Sequence, residues 1–143
     1  MIKNLWIKYK EIIMYLIFGV ATTGVNWIVY AFAVKVGMNM NLSNCLAWLL
    51  AVVFAFVTNK IFVFESKNMN VQVLFMEFIK FIAARVVTGV IEIGGLPVLY
   101  SLGIKQSLFG IDGFVAKILV SVIVVILNYV FSKLFIFKNQ KDK

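Results

Sequence analysis

The sequence has no histidine, and Cys45 is the one cysteine among its 143 residues. The absence of histidine excludes a histidine metal site, a Ser-His-Asp triad and a histidine general base. One cysteine cannot form a disulfide within the chain. The chain also lacks the G-x-x-x-x-G-K-[ST] loop that cradles nucleotide phosphates, which excludes ATP hydrolysis through such a loop. We therefore expect neither a metal nor another cofactor.

Charge and proline are scarce as well. Charged residues make up 14% of the chain, proline occurs once, and hydrophobic residues reach 63%, with a mean hydropathy of +1.00. A soluble domain of this length cannot cover so much apolar surface, so the bilayer is the expected solvent. The net charge of +8 does not indicate a nucleic-acid partner, because the basic residues cluster at the ends of apolar runs, where lipid headgroups lie. We predict a multi-pass protein of the cell membrane whose partners include membrane lipids.

Four apolar runs are long enough to cross a bilayer. At about 1.5 Å per residue, roughly 20 residues cross a hydrocarbon core of roughly 30 Å. The predicted spans are residues 12–34, 44–64, 75–102 and 114–137. The third span is expected to be interrupted near Gly94, Gly95 and Pro97. The sequence thus predicts an all-α integral membrane protein with four transmembrane helices, in which residues 1–143 form one domain.

Lysine and arginine are unevenly distributed over the predicted loops. The N-terminal arm, the loop between the second and third spans with its flanks, and the C-terminal end together carry ten. The two other loops carry Lys35 and Lys105. The positive-inside rule therefore places both termini in the cytoplasm.

An internal repeat agrees with four spans. Residues 55–64 (AFVTNKIFVF) match residues 128–137 (NYVFSKLFIF) at an offset of 73. A weaker match joins Thr-Gly-Val at 23–25 to the same tripeptide at 88–90, at an offset of 65. The two matches occur in the same order in both halves. They predict two parallel two-helix repeats, related by an axis along the membrane normal.

Polar side chains inside a span are costly and are therefore functional candidates. Counting from the span ends places Asn59, Arg85 and Asn128 at one level, roughly 10 Å below the cytoplasmic surface. An arginine at this depth suits a phosphate, which a guanidinium can grip through two parallel hydrogen bonds. A second group projects to the outer third of the membrane and consists of Asn26, Glu92 and Lys117.

Structural roles stay open for several of these candidates. Asn59 and Asn128 are also residues of the kind that form plain interhelical hydrogen bonds. Lys117 can extend to the outer headgroups, and Glu92 can neutralise either Lys117 or Arg85.

Two lysines and two phenylalanines complete the candidates. Lys60 and Lys133, which match in the repeat, are expected to extend to the cytoplasmic headgroups as topology anchors. Most phenylalanines are expected to face lipid. Phe64 and Phe81 are the exceptions, because both are predicted to lie at the mouth of the inner polar level.

These residues together resemble the GtrA-like family of small four-span membrane proteins, which includes wall teichoic acid glycosylation proteins of Gram-positive bacteria. The resemblance covers nearly the whole chain. It rests on the opening stretch YLIFGVATTG (15–24), on A-x-x-x-N-x-x-x-V-F (55–64), on F-x-x-F-x-x-x-R (78–85), and on Lys117 with N-x-x-x-S-K (128–133). The motif positions that it marks are Ala55, Asn59, Val63, Phe64, Phe81, Arg85, Lys117 and Asn128.

The resemblance implies that the chain flips a polyprenyl-phosphate-linked monosaccharide from the inner to the outer leaflet, for glycosylation of a cell-wall polymer or polysaccharide. It implies a cytoplasmic polyprenyl-phosphate glycosyltransferase as functional partner, and it leaves the sugar open. Substrate contacts are expected from Asn59, Arg85, Lys117 and Asn128. Supporting roles are expected for Ala55, Val63, Phe64, Phe81, Asn26 and Glu92.

Other interpretations compete with a flippase. The first is a non-transporting subunit that anchors or stabilises a polyprenyl-phosphate glycosyltransferase. A small four-span cation exporter is disfavoured, because Glu92 is its only candidate deep carboxylate and Arg85 lies seven residues away. An enzyme is disfavoured too, since the spans contain no paired carboxylates and no nucleophile–base set. A homo-oligomer stays open, because four spans are few to enclose a groove.

Overall fold

The computed structural model describes residues 1–137, and these residues are helical except for connecting turns and one isolated bridge, Leu108 to Ile111. The helices are α1 (Ile2–Lys35), α2 (Met40–Thr58), α3 (Val71–Ser101) and α4 (Phe114–Phe131). Both α2 and α4 continue into a π-helical turn, Asn59–Val63 and Ser132–Ile136 respectively. The predicted basic tail after residue 137 lies outside the described residues. Two compact units divide the chain, with α1 and α2 in the first and α3 and α4 in the second.

The first unit is an antiparallel helix pair with a short connection. α1 begins at Ile2, ten residues before the predicted span, so the basic N-terminal arm is helical. Gly37 has a φ of +92°, which residues with a side chain rarely adopt, and it reverses the chain after α1. The side chain of Asn39 then accepts a hydrogen bond from the backbone N–H of Asn41 at 2.8 Å and caps α2. α1 and α2 pack against each other.

One face of α2 is buried at every fourth residue. Residues four apart lie on the same helix face, so this spacing produces a continuous buried stripe. Most members are small, which lets α1 approach closely. The stripe consists of Ser43, Ala47, Ala51, Ala55, Asn59 and Val63.

The second unit pairs α3 with α4, and α3 runs unbroken to Ser101. The predicted interruption near Gly94, Gly95 and Pro97 is therefore wrong. A side-chain carbon added at Gly95 would lie 3.3 Å from Val120, so the glycine allows a close approach of α4 rather than a break. Proline removes one backbone hydrogen bond, and membrane helices tolerate this because their neighbours supply other contacts.

The sequence repeat has a structural counterpart inside each unit. The buried stripe of α4 comprises Ala116, Val120, Val124, Asn128, Ser132 and Ile136. Each of these residues lies 73 positions after a residue of the α2 stripe. The two π-helical turns obey the same offset, and in both the closing N–H donates to a carbonyl five residues earlier at 2.9 Å. Equivalent sequence therefore forms equivalent local structure.

The repeated lysines differ from each other, and the expectation that Lys60 extends to the headgroups is wrong. Lys60 is 2% exposed, and its Nζ donates to Ser66 Oγ at 2.8 Å. The chain turns back after the π-helical turn at Glu65, whose φ is +49°, so that the Ser66 hydroxyl meets the amine. Lys133 is exposed, with its Nζ 5.6 Å from the ring centroid of Tyr129. The burial of Lys60 thus depends on the turn of the chain that follows it.

Three helical segments of the described residues are long and apolar enough to cross a membrane: Ile2–Lys35, Met40–Val63 and Phe114–Ile136. α3 has 31 residues but carries four charged side chains, and its role as a fourth span stays a prediction. Large apolar side chains cover the outside of the protein, as Trp27 (71% exposed) and Ile93 (80% exposed) illustrate. An apolar surface of this extent needs lipid around it.

Candidate functional site

Arg85 is the central polar residue of the second unit. It lies half-buried in the middle of α3, and its guanidinium carbon is 5.0 Å from the ring centroid of Phe81. Phe81 lies one turn earlier on the same face and is 1% exposed. A ring face attracts a cation electrostatically, and this attraction does not use the N–H donors of the guanidinium. The contact thus gives Phe81 a physical role in holding the positive charge within the helix pair.

One turn after Arg85, a buried hydrogen bond joins α3 to α4. The hydroxyl of Thr88 lies 2.9 Å from the side-chain oxygen of Asn128, and both residues are buried. The same hydroxyl lies 3.2 Å from the backbone carbonyl of Arg85. Asn128 therefore forms an interhelical hydrogen bond, which is the structural role that the sequence allows for it. Its amide nitrogen can donate a hydrogen bond to a further group.

Thr88 is a residue that sequence reasoning missed as part of the site. The tripeptide that begins at Thr88 forms the weaker repeat match, but the sequence predicts no partner for the Thr88 side chain. The available signal was its position three residues after Arg85, which puts both on neighbouring parts of one helix face.

An ion pair forms the next contact between the same helices. Lys117 Nζ lies 2.6 Å from Glu92 Oε1. The side chains are 47% and 37% exposed, so both ends are accessible to water or a ligand. Glu92 neutralises Lys117, as one of the open alternatives stated. An anion that binds Lys117 must compete with this carboxylate.

These contacts succeed one another along the second unit. Glu92 follows Arg85 by seven residues, a rise of about 10 Å along α3. Lys117 precedes Asn128 by eleven residues, about 16 Å along α4. A guanidinium, a hydroxyl with a carboxamide, and an ammonium thus form a series of polar groups along one helix pair. Such a series can pass a small anionic group from one donor to the next.

In the first unit, Asn59 lies where α2 changes into its π-helical turn, and it is 3% exposed. It is a polar member of a stripe that is otherwise mostly apolar, with Ala55 one turn before it and Val63 one turn after. Phe64 is also buried, and its ring centroid lies 6.5 Å from that of Tyr15 on α1. Tyr15 is the first residue of the motif YLIFGVATTG, and the sequence does not predict its aromatic contact with Phe64.

Asn26, the remaining candidate, is half-buried on α1 of the first unit. It borders a groove between α1 and α2, together with Asn44. Neither Glu92 nor Lys117, with which it was grouped, belongs to that unit.

The candidates are thus divided between the units. The first contains Asn26, Ala55, Asn59, Val63 and Phe64, and the second contains Phe81, Arg85, Glu92, Lys117 and Asn128. Direct contacts join Arg85 to Phe81 and Lys117 to Glu92. The common membrane level of Asn59 and the residues of the second unit stays a prediction. Among the residues that the structure describes, no cluster of three or more His, Cys, Asp or Glu could hold a metal ion.

Comparison with known proteins adds an independent line of information. A sequence model of the GtrA/DPMS transmembrane domain matches residues 14–137. The uncharacterized membrane protein YwcD of Bacillus subtilis is 34% identical over 131 residues, which cover 91% of this chain and 98% of that protein. The cell wall teichoic acid glycosylation protein GtcA of Listeria innocua is 37% identical over 132 residues, which cover 92% and 87%. GtcA of Listeria monocytogenes is 35% identical over 135 residues, which cover 94% and 89%.

Proposed function

We propose that this chain, which is a multi-pass membrane protein and belongs to the GtrA/DPMS transmembrane-domain family, flips a polyprenyl-phosphate-linked monosaccharide from the inner to the outer leaflet. Two of its relatives are named for teichoic acid glycosylation in Listeria. By extension, the sugar carried here serves the glycosylation of a cell-wall polymer or polysaccharide.

The observation that best supports this proposal is the polar series along α3 and α4. Arg85 is half-buried in an apolar helix, the Thr88–Asn128 bond follows it, and the pair of Lys117 and Glu92 comes next. Buried polar groups are expensive in a membrane protein and tend to mark the route of a polar substrate. A purely structural helix pair would need none of these charges.

The chemistry of the substrate explains why such a route is needed. Moving a bare phosphate charge through hydrocarbon costs on the order of tens of kcal/mol by a Born estimate. A guanidinium replaces part of the lost hydration through two charge-assisted hydrogen bonds. Arg85 receives the phosphate on the inner side, and Asn59 and Asn128 offer amide groups to phosphate or sugar. Lys117 exchanges Glu92 for the phosphate on the outer side. The isoprenoid tail stays in the bilayer throughout.

The proposal includes a specific topology. α3 is the third of four spans, residues 1–143 form a single domain, and the two halves are parallel repeats. Both termini lie in the cytoplasm, where Lys3, Lys8 and Lys10 meet anionic headgroups. α3 carries Arg85 and Glu92, and α4 carries Lys117, because the substrate's headgroup passes along this helix pair.

The protein performs no covalent step in this scheme. A cytoplasmic polyprenyl-phosphate glycosyltransferase supplies the lipid-linked sugar, and consumption outside or an ion gradient sets the net direction. The residues assigned above bind and release the headgroup, so we assign them no catalytic role. The scheme does not depend on the oligomeric state of the protein.

The first prediction tests Arg85 in proteoliposomes that contain a radiolabelled polyprenyl-phosphate hexose. External periodate, which does not cross the bilayer, oxidises sugar in the outer leaflet only. With the wild-type protein, inner-leaflet sugar should also become oxidised as it is flipped. Arg85→Ala should slow this phase about tenfold or more, because hydrogen bonds to a charged group contribute roughly 1.5–3 kcal/mol.

Two variants serve as controls for this assay. Arg85→Lys keeps the charge but loses the planar fork, so an intermediate rate is expected. Lys80→Ala removes an exposed charge from the same helix and should leave the rate unchanged. Unaltered movement with Arg85→Ala, in protein shown to be folded, would refute the assignment. If wild-type protein moves no lipid but raises cytoplasmic synthesis of the lipid-linked sugar in cells, the anchoring subunit is the correct interpretation.

A further inference from the structure

The first unit contains a polar groove that the phosphate route does not use. Two adjoining depressions of about 400 and 440 Å³ lie between α1 and α2, and Asn26 and Asn44 line both of them. We call them together the carboxamide groove. Its other lining residues are Trp27, Tyr30, Met40, Asn41, Cys45, Trp48 and Leu49.

The short connection between the helices creates this groove. Only residues 36–39 separate α1 from α2, so the last turns of α1 lie beside the first turns of α2. On α1, Asn26 and Tyr30 are four residues apart and share a face. On α2, Asn44 and Trp48 have the same spacing. Each helix therefore contributes one carboxamide and one aromatic ring to the carboxamide groove, with Tyr30 in one depression and Trp48 in the other.

The polar groups of the groove are neutral. No lysine, arginine, aspartate or glutamate is among its lining residues. Within residues 1–137, the carboxamides of Asn26, Asn41 and Asn44 form no hydrogen bond to another side chain. A carboxamide both donates and accepts, which matches a hydroxyl group better than it matches a phosphate. An anionic ligand would find no counter-charge here.

The aromatic rings flank the carboxamides and are accessible. Trp27 is 71% exposed and Trp48 is 46% exposed. Exposed tryptophans often belong to the aromatic belt of a membrane protein, where they contact lipid headgroups. A belt, however, does not require carboxamides from two helices to line the same groove. Convergent polar groups beside aromatic rings, and a volume within roughly 300–1,000 Å³, are features that the groove shares with small-molecule sites.

We infer that the carboxamide groove binds a neutral hexose or N-acetylhexosamine ring. The C–H face of the pyranose packs on the ring of Trp27 or Trp48, and Asn26 and Asn44 hydrogen-bond its hydroxyl groups. This inference rests on the proposed function, because the ligand is the sugar of the lipid that the protein is proposed to flip. It assigns recognition of the sugar to residues that contact no phosphate.

The test measures tryptophan fluorescence of the full chain in nanodiscs of phosphatidylglycerol and phosphatidylcholine. Glycoside detergents are avoided, because they carry the proposed ligand. Trp6→Phe removes the one tryptophan outside the groove. The probes are methyl glycosides of glucose, galactose, mannose, rhamnose and the two common N-acetylhexosamines. At least one should change the emission saturably.

Variants then locate the binding. Asn44→Ala should weaken the affinity about fivefold or more through the loss of neutral hydrogen bonds. Asn26→Ala should act similarly, which keeps the test valid if one variant does not fold. Asn4→Ala, which alters an exposed asparagine outside the groove, should leave the affinity unchanged.

Each contrary result has a defined meaning. The inference is overturned if no glycoside gives a saturable change, if glycerol at equal concentration gives the same change, or if Asn26→Ala and Asn44→Ala both leave the affinity unaltered. Binding of inorganic phosphate that depends on Asn44 also overturns it. Transport without glycoside binding rejects this inference alone. Glycoside binding without lipid movement rejects the proposed transport and leaves the groove as a saccharide site.

Discussion

At the scale of single residues, the predicted depth of a polar side chain in a span selects the candidates but does not predict which residues they contact. Arg85, Lys117 and Asn128 stand out in an apolar sequence. Their contacts with Phe81, Glu92 and Thr88 depend on which helix faces meet. Spacing suggests the first of these contacts, because Phe81 and Arg85 are one turn apart. The other two join separate helices, so spacing alone cannot select them.

The ion pair of Glu92 and Lys117 leads to a second prediction. If Lys117 holds the phosphate on the outer side, Glu92 competes with the substrate for it. Glu92→Gln should then flip the lipid at least as fast as the wild type in the periodate assay. Lys117→Ala should be about tenfold slower, because it removes a charged hydrogen-bond donor. Equal slowing by both variants would mean that the pair is structural and that Lys117 does not contact the substrate.

At the scale of elements, the sequence repeat relates local structure and burial as well as the order of the helices. An offset found in ten residues of sequence also relates the two π-helical turns and the buried stripes of α2 and α4. The physical cause is that small or β-branched residues every fourth position form the same packing face in both halves. Structure at the ends of the helices is harder to predict from the sequence. Lys60 is an example, because its burial depends on the conformation of the chain that follows it.

The repeated lysines provide a matched pair for a third prediction. Lys60→Ala should lower the free energy of unfolding by about 2 kcal/mol or more, since it removes a buried side chain and leaves Ser66 without this partner. Lys133→Ala should change it by less than about 0.5 kcal/mol, because this side chain is exposed. Reversible unfolding in mixed detergent micelles measures both values.

Lys60→Met separates the contribution of the buried carbon stem from that of the amine. It retains most of the packing, so it should cost less than Lys60→Ala. Equal losses for Lys60→Ala and Lys133→Ala would show that Lys60 is not buried in the membrane-embedded protein.

At the scale of the whole molecule, the topology depends on whether α3 crosses the membrane. Three helical segments satisfy length and apolarity, and α3, which carries four charged side chains, is not among them. One of those charged residues, Arg85, is also the phosphate contact that the proposed function requires. A four-span topology puts the α1–α2 turn and the α3–α4 loop outside, and the α2–α3 loop inside. If α3 does not cross, the α3–α4 loop lies on the same side as the α2–α3 loop.

Thiol labelling tests this topology in intact protoplasts with a membrane-impermeant maleimide. The native Cys45, which is exposed near the start of α2, should be labelled from outside. In a Cys45→Ser background, Lys105→Cys should be labelled from outside and Lys67→Cys only after permeabilisation. Labelling of Lys105→Cys only after permeabilisation would exclude α3 as a span and, with it, the proposed route of the headgroup.

The sequence by itself determined the solvent of this protein, its apolar helices and the polar residues that need an explanation. Composition and hydrophobic run length are enough for this, because the cost of exposing apolar groups to water or polar groups to lipid depends on chemistry alone. Only the tertiary structure decided that Thr88 bonds Asn128, that Lys60 is buried against Ser66, and that two carboxamides line one groove. Those outcomes depend on helix rotation and on the path of the connecting chain, which no local pattern specifies.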